Sequence, residues 1–383
     1  MDIRSMIEVT ERLSEQIPVQ EAFMGNLLDY IKWRGDLDLS VDGFNEVDGL
    51  VFSAFSYLRF GDLVGDDFQS FVTIQELSRQ FFSGSQEEQN SRIRTEKDKM
   101  LLQLMGNSKR YGSLPVISHR SILDQEIEVQ FAAYTIGLER GLYAVIFRGT
   151  DHTLVGWKED MNLGFMDELP GQKYAMEYLK EATRALRGRF IVCGHSKGGN
   201  LSLYSGASLD GRTQKRLVDV YNYDGPGFVQ KFLETPGYQA IIPKIHTFVP
   251  QSSVVGMLLE HEEPYQVVKS SNMGISQHEP YSWEMEGPAF LTVDSVDSGS
   301  RFVDTSLRSW LAGLSKEDRE EFVTAVYGII MDAKPEKITD LTKPQTIMSI
   351  LKKLNQADMQ TKEMIGSTLS ALRKSITEAL TSQ

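Results

Sequence analysis

Residues 190–200 read Phe-Ile-Val-Cys-Gly-His-Ser-Lys-Gly-Gly-Asn, a short apolar run rich in β-branched residues that feeds directly into Gly-x-Ser-x-Gly. Leu201, Ser202, Leu203 and Tyr204 continue with helix-compatible spacing. Strand, tight turn and helix in that order describe a nucleophile elbow, whose turn holds the serine, here Ser196, in a strained conformation with its hydroxyl exposed. Gly194 and Gly198 leave room for strand and helix to approach, and His195 is the variable residue between Gly194 and Ser196. The helix aims its first amides at the reacting centre, which makes the N–H of Lys197 a candidate oxyanion donor. A chance Gly-x-Ser-x-Gly in a loop rarely sits between a buried-strand pattern and a helix.

The rest of the chain supplies what such a turn needs. Residues 1–115 read as mainly helical: Leu27, Leu28, Tyr30 and Ile31 start one pattern, Val47, Leu50, Val51, Ala54, Phe55 and Leu58 a second, and Phe71 to Phe82 a third. A polar break from Ser83 to Asn90 follows, then a segment carrying Arg92, Arg94, Lys97 and Lys99. Residues 84–110 therefore form either a lid over a pocket or a solvated helix that packs its apolar side on the domain. From Val116 the pattern turns to strands. Ile127, Val129, Phe131 and Ala133 alternate, Gly137 to Gly141 turns, and Leu142 to Phe147 returns as a buried strand. A helical pattern from Tyr174 to Leu186 leads to the elbow strand, and Leu217–Tyr223, Ile245–Val249 and Tyr265–Lys269 add further strands. Strands alternating with helices predict a mostly parallel central sheet flanked by helices. After about residue 300 the chain is helical again, with a capping box at Ser315 and Asp318 and an apolar stripe of Ile365, Leu369, Leu372, Ile376 and Leu380. Three regions result: helical 1–115, a core at 116–295 and a helical extension at 296–383.

Composition narrows the partners. A net charge of −13 over 383 residues argues against general affinity for nucleic acid or anionic membrane surfaces. The single cysteine, Cys193, rules out an internal disulfide. The first eight residues carry charges where a signal peptide needs an apolar core, and no stretch approaches a transmembrane span, so a cytoplasmic location is expected. No spaced His/Cys/Asp/Glu cluster and no Gly-rich phosphate loop occurs, so neither metal nor cofactor is expected. The sequence is silent on oligomeric state.

A serine hydroxyl is a poor nucleophile until a histidine takes its proton, and the histidine works best when an acid fixes its tautomer. On a sheet of this kind the chain order is Ser, then Asp or Glu, then His. Of the six histidines, His119, His152 and His195 precede Ser196, His246 falls inside a strand, and His261 sits among Glu260, Glu262 and Glu263. His278, in a loop after the last expected core strand, is the candidate base. Asp224 ends the strand after the elbow helix. It is either the acid or, standing before Gly225-Pro226, a turn former. The expected partner is a small-molecule ester or acyl substrate.

Phe147-Arg148-Gly149-Thr150, the segment Gly156-Trp157-Lys158-Glu159-Asp160-Met161-Asn162, the elbow and His278 resemble fungal-type lipases of the α/β-hydrolase fold, over roughly residues 115–290. Including Trp33-Arg34-Gly35-Asp36 and Val249-Pro250-Gln251-Ser252-Ser253, the whole chain is similar to an uncharacterised bacterial family of lipase-like proteins. The resemblance implies an α/β-hydrolase core with helical N- and C-terminal additions, a serine esterase activity through an acyl-enzyme, and an oxyanion hole formed by the N–H groups of Thr150 and Lys197. Thioesterase or peptidase chemistry would use the same machinery, and a decayed hydrolase scaffold serving as a binding protein is the reading from another class. Two departures stand out. Lys197 replaces the usual Leu, setting a cation beside the nucleophile unless its side chain turns to solvent. Fungal-type lipases also carry their acid one strand later, where this chain has Gln251-Ser252-Ser253; Asp224 matches instead the strand end used by pancreatic-type lipases.

Overall fold

The computed structural model describes residues 24–381, apart from 152, 334, 336–339, 341 and 342. His152 and the charged first residues lie outside the described part. Nine strands form the main sheet: β1 (Val72–Thr73), β2 (Pro115–Asp124), β3 (Val129–Glu139), β4 (Leu142–Phe147), β5 (Arg189–His195), β6 (Leu217–Tyr223), β7 (Ile245–Pro250), β8 (Tyr265–Val268) and β9 (Thr292–Val293). The main helices are α1 (Leu27–Arg34), α2 (Glu46–Phe55), α3 (Ile74–Ser83), α4 (Gln86–Ser91), α5 (Glu96–Asn107), α6 (Leu154–Asn162), α7 (Pro170–Ala185), α8 (Lys197–Ala207), α9 (Ser298–Ala312), α10 (Lys316–Asp332), α11 (Pro344–Gln356) and α12 (Met359–Thr381).

The sheet order is β9-β8-β7-β6-β5-β4-β3-β2-β1. Strands β4 to β8 run parallel to one another, while β1, β2, β3 and β9 pair antiparallel with their neighbours. The expectation of a mostly parallel sheet is thus corrected: the sheet is mixed, with a parallel centre and antiparallel flanks. The reason lies in the connections. Strands β4 to β8 are joined by crossovers that return the chain in the same direction, β2, β3 and β4 follow one another through short turns, and the two-residue edge strands β1 and β9 pair antiparallel despite long connections. The turn expected at Gly137–Gly141 is tighter than its pattern suggested, because β3 runs on to Glu139 and Gly141 alone takes the positive φ of +75°.

Side-chain alternation builds a core on each face. Ala144, Ile146, Ile191, Cys193, Tyr221 and Tyr223 pack against α1, α2, α3 and α5, while Val145, Phe147, Phe190, Val192 and Val220 pack against α7 and α8. The N-terminal helices are therefore one layer of a helix–sheet–helix arrangement. In the segment 84–110, Leu101, Leu102 and Met105 of α5 are fully buried and Tyr281 donates to Asp98 at 2.8 Å. The polar break holds a helix, α4, capped reciprocally by Ser85 and Glu88. That reciprocal cap outweighs the polar composition, which reads as a break in the sequence. In the C-terminal extension, Ile365 and Thr368 of α12 are buried while Leu369 is exposed, so the packing face is rotated from the expected stripe. Ile376 and Leu380 lie outside the residues whose side chains are described. No helix among the described residues is long and apolar enough to cross a membrane.

A buried ion pair ties the N-terminal layer together. Arg110 donates through Nε to Asp48 Oδ1 at 2.7 Å and through Nη2 to Oδ2 at 2.5 Å, and Tyr111 donates to Oδ1 at 2.6 Å. Asp48 and Arg110 are both fully shielded from solvent. Removing one partner leaves the other charge buried and uncompensated, so Asp48→Ala is expected to lose about 3–5 kcal/mol in urea unfolding. A loss below about 1 kcal/mol, the range of exposed pairs, would show that the pair is open to water in solution.

Candidate active site

Strand β5 ends at His195 and α8 begins at Lys197, so a single residue makes the turn. That residue, Ser196, has φ +60° and ψ −134°, a region that non-glycine residues rarely occupy. The two glycines are sterically required. A Cβ on Gly194 would collide with the backbone of Gly198, and one on Gly198 with the Phe147 carbonyl. Gly149 is equally constrained, because a Cβ there would strike Tyr57 and the His195 carbonyl and come within 3.0 Å of the Ser196 Cβ. Its bareness lets the loop after β4 lie against the serine and brings Thr150 to the site.

Asp224 follows β6 with a strained φ of +52° and is fully buried. Its Oδ2 lies 2.5 Å from His278 Nδ1. Its other oxygen accepts from Ser253 Oγ at 2.5 Å and from the Gly256 N–H at 3.1 Å. The stretch Gln251-Ser252-Ser253 just after β7, which has no carboxylate of its own, thus supplies the hydroxyl that orients Asp224. The structure closes no hydrogen bond between Ser196 Oγ and His278, although His195, next to the serine, has its ring centroid 4.5 Å from that of His278. Among the described residues, the backbone N–H groups of Thr150 and Lys197 have no acceptor.

His195 fixes the loop that carries His278. Its Nε2 lies 2.8 Å from the His278 carbonyl, which can only accept, so Nε2 bears the proton and Nδ1 accepts from Tyr57 Oη at 2.9 Å. Burial, first, and the charges of His278 and Arg94 hold the His195 pKa well below the usual imidazole value, which keeps the ring neutral and this tautomer in place. The Arg94 guanidinium stacks 3.4 Å from the Tyr57 ring centroid. Tyr57 and Arg94 carry no motif that would have marked them; only the fold brings residues that follow α2 and precede α5 to the elbow.

The Lys197 side chain does not reach solvent. Its Nζ donates to Glu159 Oε2 at 2.5 Å, the Gln130 carbonyl at 2.7 Å and Gln130 Oε1 at 3.3 Å. Glu159 in turn accepts from the N–H groups of Gln130 and Gly171. Both charges are buried and fully bonded, so the pair fastens α8 to α6 and α7. Lys197→Met should cost about 3–5 kcal/mol by stranding Glu159, and adding Glu159→Gln should recover most of that loss in thermal or urea unfolding. Additive losses would mean the two side chains do not interact.

One residue further on, Asp160 keeps its Oδ1 out of contact with water and without a hydrogen-bond partner, with the Thr150 side chain close enough to draw the carboxyl pKa down. Burial raises the Asp160 carboxyl to about 6 against the pull of the Lys197 charge. The folded value exceeds the unfolded one, so this group's contribution is present below the unfolded pKa near 4 and is lost as pH rises through 6. Asp160→Asn should therefore gain stability relative to wild type by on the order of 2 kcal/mol between pH 4 and 7. Parallel pH profiles for the two proteins would show that Asp160 is ionised throughout.

No group of His, Cys, Asp and Glu among the described residues could hold a metal ion. A family model described as Mbeg1-like matches residues 105–328. No curated protein matches the chain. Among solved structures, a mutant form of MDLA from Penicillium cyclopium is 14% identical with a TM-score of 0.40, covering 66% of this chain and 87% of that one. The Rhizomucor miehei lipase propeptide complex is 15% identical with a TM-score of 0.32, covering 50% and 65%. A triacylglycerol lipase from Penicillium expansum is 12% identical with a TM-score of 0.31, covering 49% and 84%.

Proposed function

We propose that this chain, which belongs to the Mbeg1-like family, is a serine acyl hydrolase of the α/β-hydrolase kind that cleaves carboxylic esters. The observation that carries the reading is the 2.5 Å contact between a fully buried Asp224 and His278 Nδ1, beside a serine held at positive φ on a glycine-flanked elbow. Ser196 Oγ attacks the ester carbonyl carbon while its proton passes to His278 Nε2. Asp224 holds Nδ1–H, which leaves Nε2 as the basic nitrogen and stabilises the imidazolium that forms. The Thr150 and Lys197 N–H groups receive the negative oxygen of the tetrahedral intermediate. Collapse expels the alcohol with the proton from His278, and water, activated by the same ring, releases the carboxylic acid and frees Ser196. A fully bonded Asp224 and unengaged oxyanion donors support an active enzyme over a decayed scaffold. The same steps would cleave a thioester, since they do not depend on the leaving group.

The reading is tested by labelling the intact protein with a fluorophosphonate and locating the adduct by mass spectrometry. Labelling at Ser196 is expected, absent in Ser196→Ala and slowed at least about a hundredfold in folded Asp224→Asn, as loss of the tautomer-fixing acid predicts. No labelling of the folded wild type would favour a binding scaffold. Undiminished labelling of Asp224→Asn would remove Asp224 from the mechanism.

A further inference from the structure

A cavity of about 180 Å³ opens between the end of α6 and the C-terminal helices. Its lining includes Asp160, which feels the charge of His278, Pro226, two residues beyond Asp224, and Leu258, two residues beyond the Gly256 that donates to Asp224. Its far wall is Trp310 and Leu311 of α9 with Phe322 of α10. The wall is fastened by Arg319, which donates through Nη1 to the Gly164 carbonyl at 2.8 Å and through Nη2 to the carbonyls of Leu311 at 2.5 Å and Leu314 at 3.1 Å. One side chain thus joins the turn after α6 to the junction of α9 and α10 through backbone carbonyls, with no carboxylate partner among the described residues.

Resting on the hydrolase reading, we infer that this cavity receives the acyl chain of the ester and that α9 and α10, the first helices of the C-terminal extension, set its length limit at about six carbons. Placement favours the acyl chain as occupant: Ser196 does not itself line the cavity, but Asp160 lies within reach of the His278 charge, and Pro226 and Leu258 stand two residues from Asp224 and from its donor Gly256. The size follows from volume: a cavity of about 150 Å³ lined by aliphatic and aromatic side chains takes a six-carbon ring. A chain of sixteen carbons exceeds the volume between α6 and the wall that Arg319 fastens. The structure therefore assigns the protein to esters of short to medium acyl chains, with Trp310, Leu311 and Phe322 as specificity residues.

The test is kcat/KM for the full-length protein on p-nitrophenyl esters from acetate to palmitate, beside alkyl acetates of increasing alcohol length. Wild type should gain about fourfold per added acyl methylene up to about six carbons, then fall by more than tenfold towards palmitate. Leu311→Trp should lower the hexanoate-to-acetate ratio at least tenfold, and Phe322→Ala should move the optimum up by two or more carbons. A profile flat in acyl length, an optimum at palmitate, or a dependence on the alcohol chain instead would overturn the inference, and the wild-type series decides this even where a variant does not fold. Fluorophosphonate labelling separates the two levels. Labelled Ser196 with a flat profile sinks the cavity assignment alone, whereas an unlabelled, inactive wild type sinks the hydrolase reading and this inference with it.

Discussion

The conformation of one residue organises this molecule. Holding Ser196 at φ +60° costs on the order of 1–3 kcal/mol, and a turn of one residue has no slack through which to relax. The cost is sustained because both arms of the turn are fixed independently. Strand β5 sits in the middle of the sheet with parallel partners on both sides, so its end cannot shift. Helix α8 is buried along its whole length and anchored at its first residue by the Lys197–Glu159 pair. Strain at the elbow thus requires a rigid frame, and the frame accounts for glycine at 194 and 198, where any side chain would push strand and helix apart.

Much of that frame was readable as pattern. The elbow, the parallel strands β5 to β8 and the helices α2 and α7 follow from alternation and helical periodicity, because each is buried on faces that its own residues define. The helix α4 and the strand β1 were not. They are short, and the second exists only because Val72 and Thr73 find Val116 and Pro115 across the chain. The same division runs through the site. Ser196, Asp224 and His278 could be nominated because elbow, strand end and terminal loop have an order along the chain. Tyr57, Arg94 and Ser253 could not, since their positions acquire meaning only when distant segments are folded against the elbow.

Ser253 shows why a departure in sequence is not always a loss of chemistry. The segment after β7 has a serine where a carboxylate was anticipated, and the carboxylate sits at the end of the neighbouring strand. In the folded chain the two positions converge: Ser253 Oγ and the Gly256 N–H occupy one oxygen of Asp224 and leave the other for His278. A buried carboxylate with both oxygens bonded has a fixed direction, and that direction is what the imidazole needs. The end of β6 supplies the carboxylate and the loop after β7 supplies the hydroxyl that orients it.

Lys197 makes a related point about charge. Beside a serine nucleophile a free ammonium would be expected to alter the field at the reacting carbonyl, but here the backbone and side chain of the residue do separate things. The N–H lies at the start of α8, where the helix dipole adds to its pull on an anion, while the ammonium is buried and neutralised by Glu159. Glu159 and Asp160 are adjacent, yet the first is saturated with donors while Asp160 Oδ1 has none. Burial of Asp160, against the pull of the Lys197 charge, makes this carboxyl, which lines the cavity, retain its proton to about pH 6. The recess at Asp160 is therefore close to neutral under mildly acidic conditions, a condition an apolar chain tolerates and a fully charged lining would not.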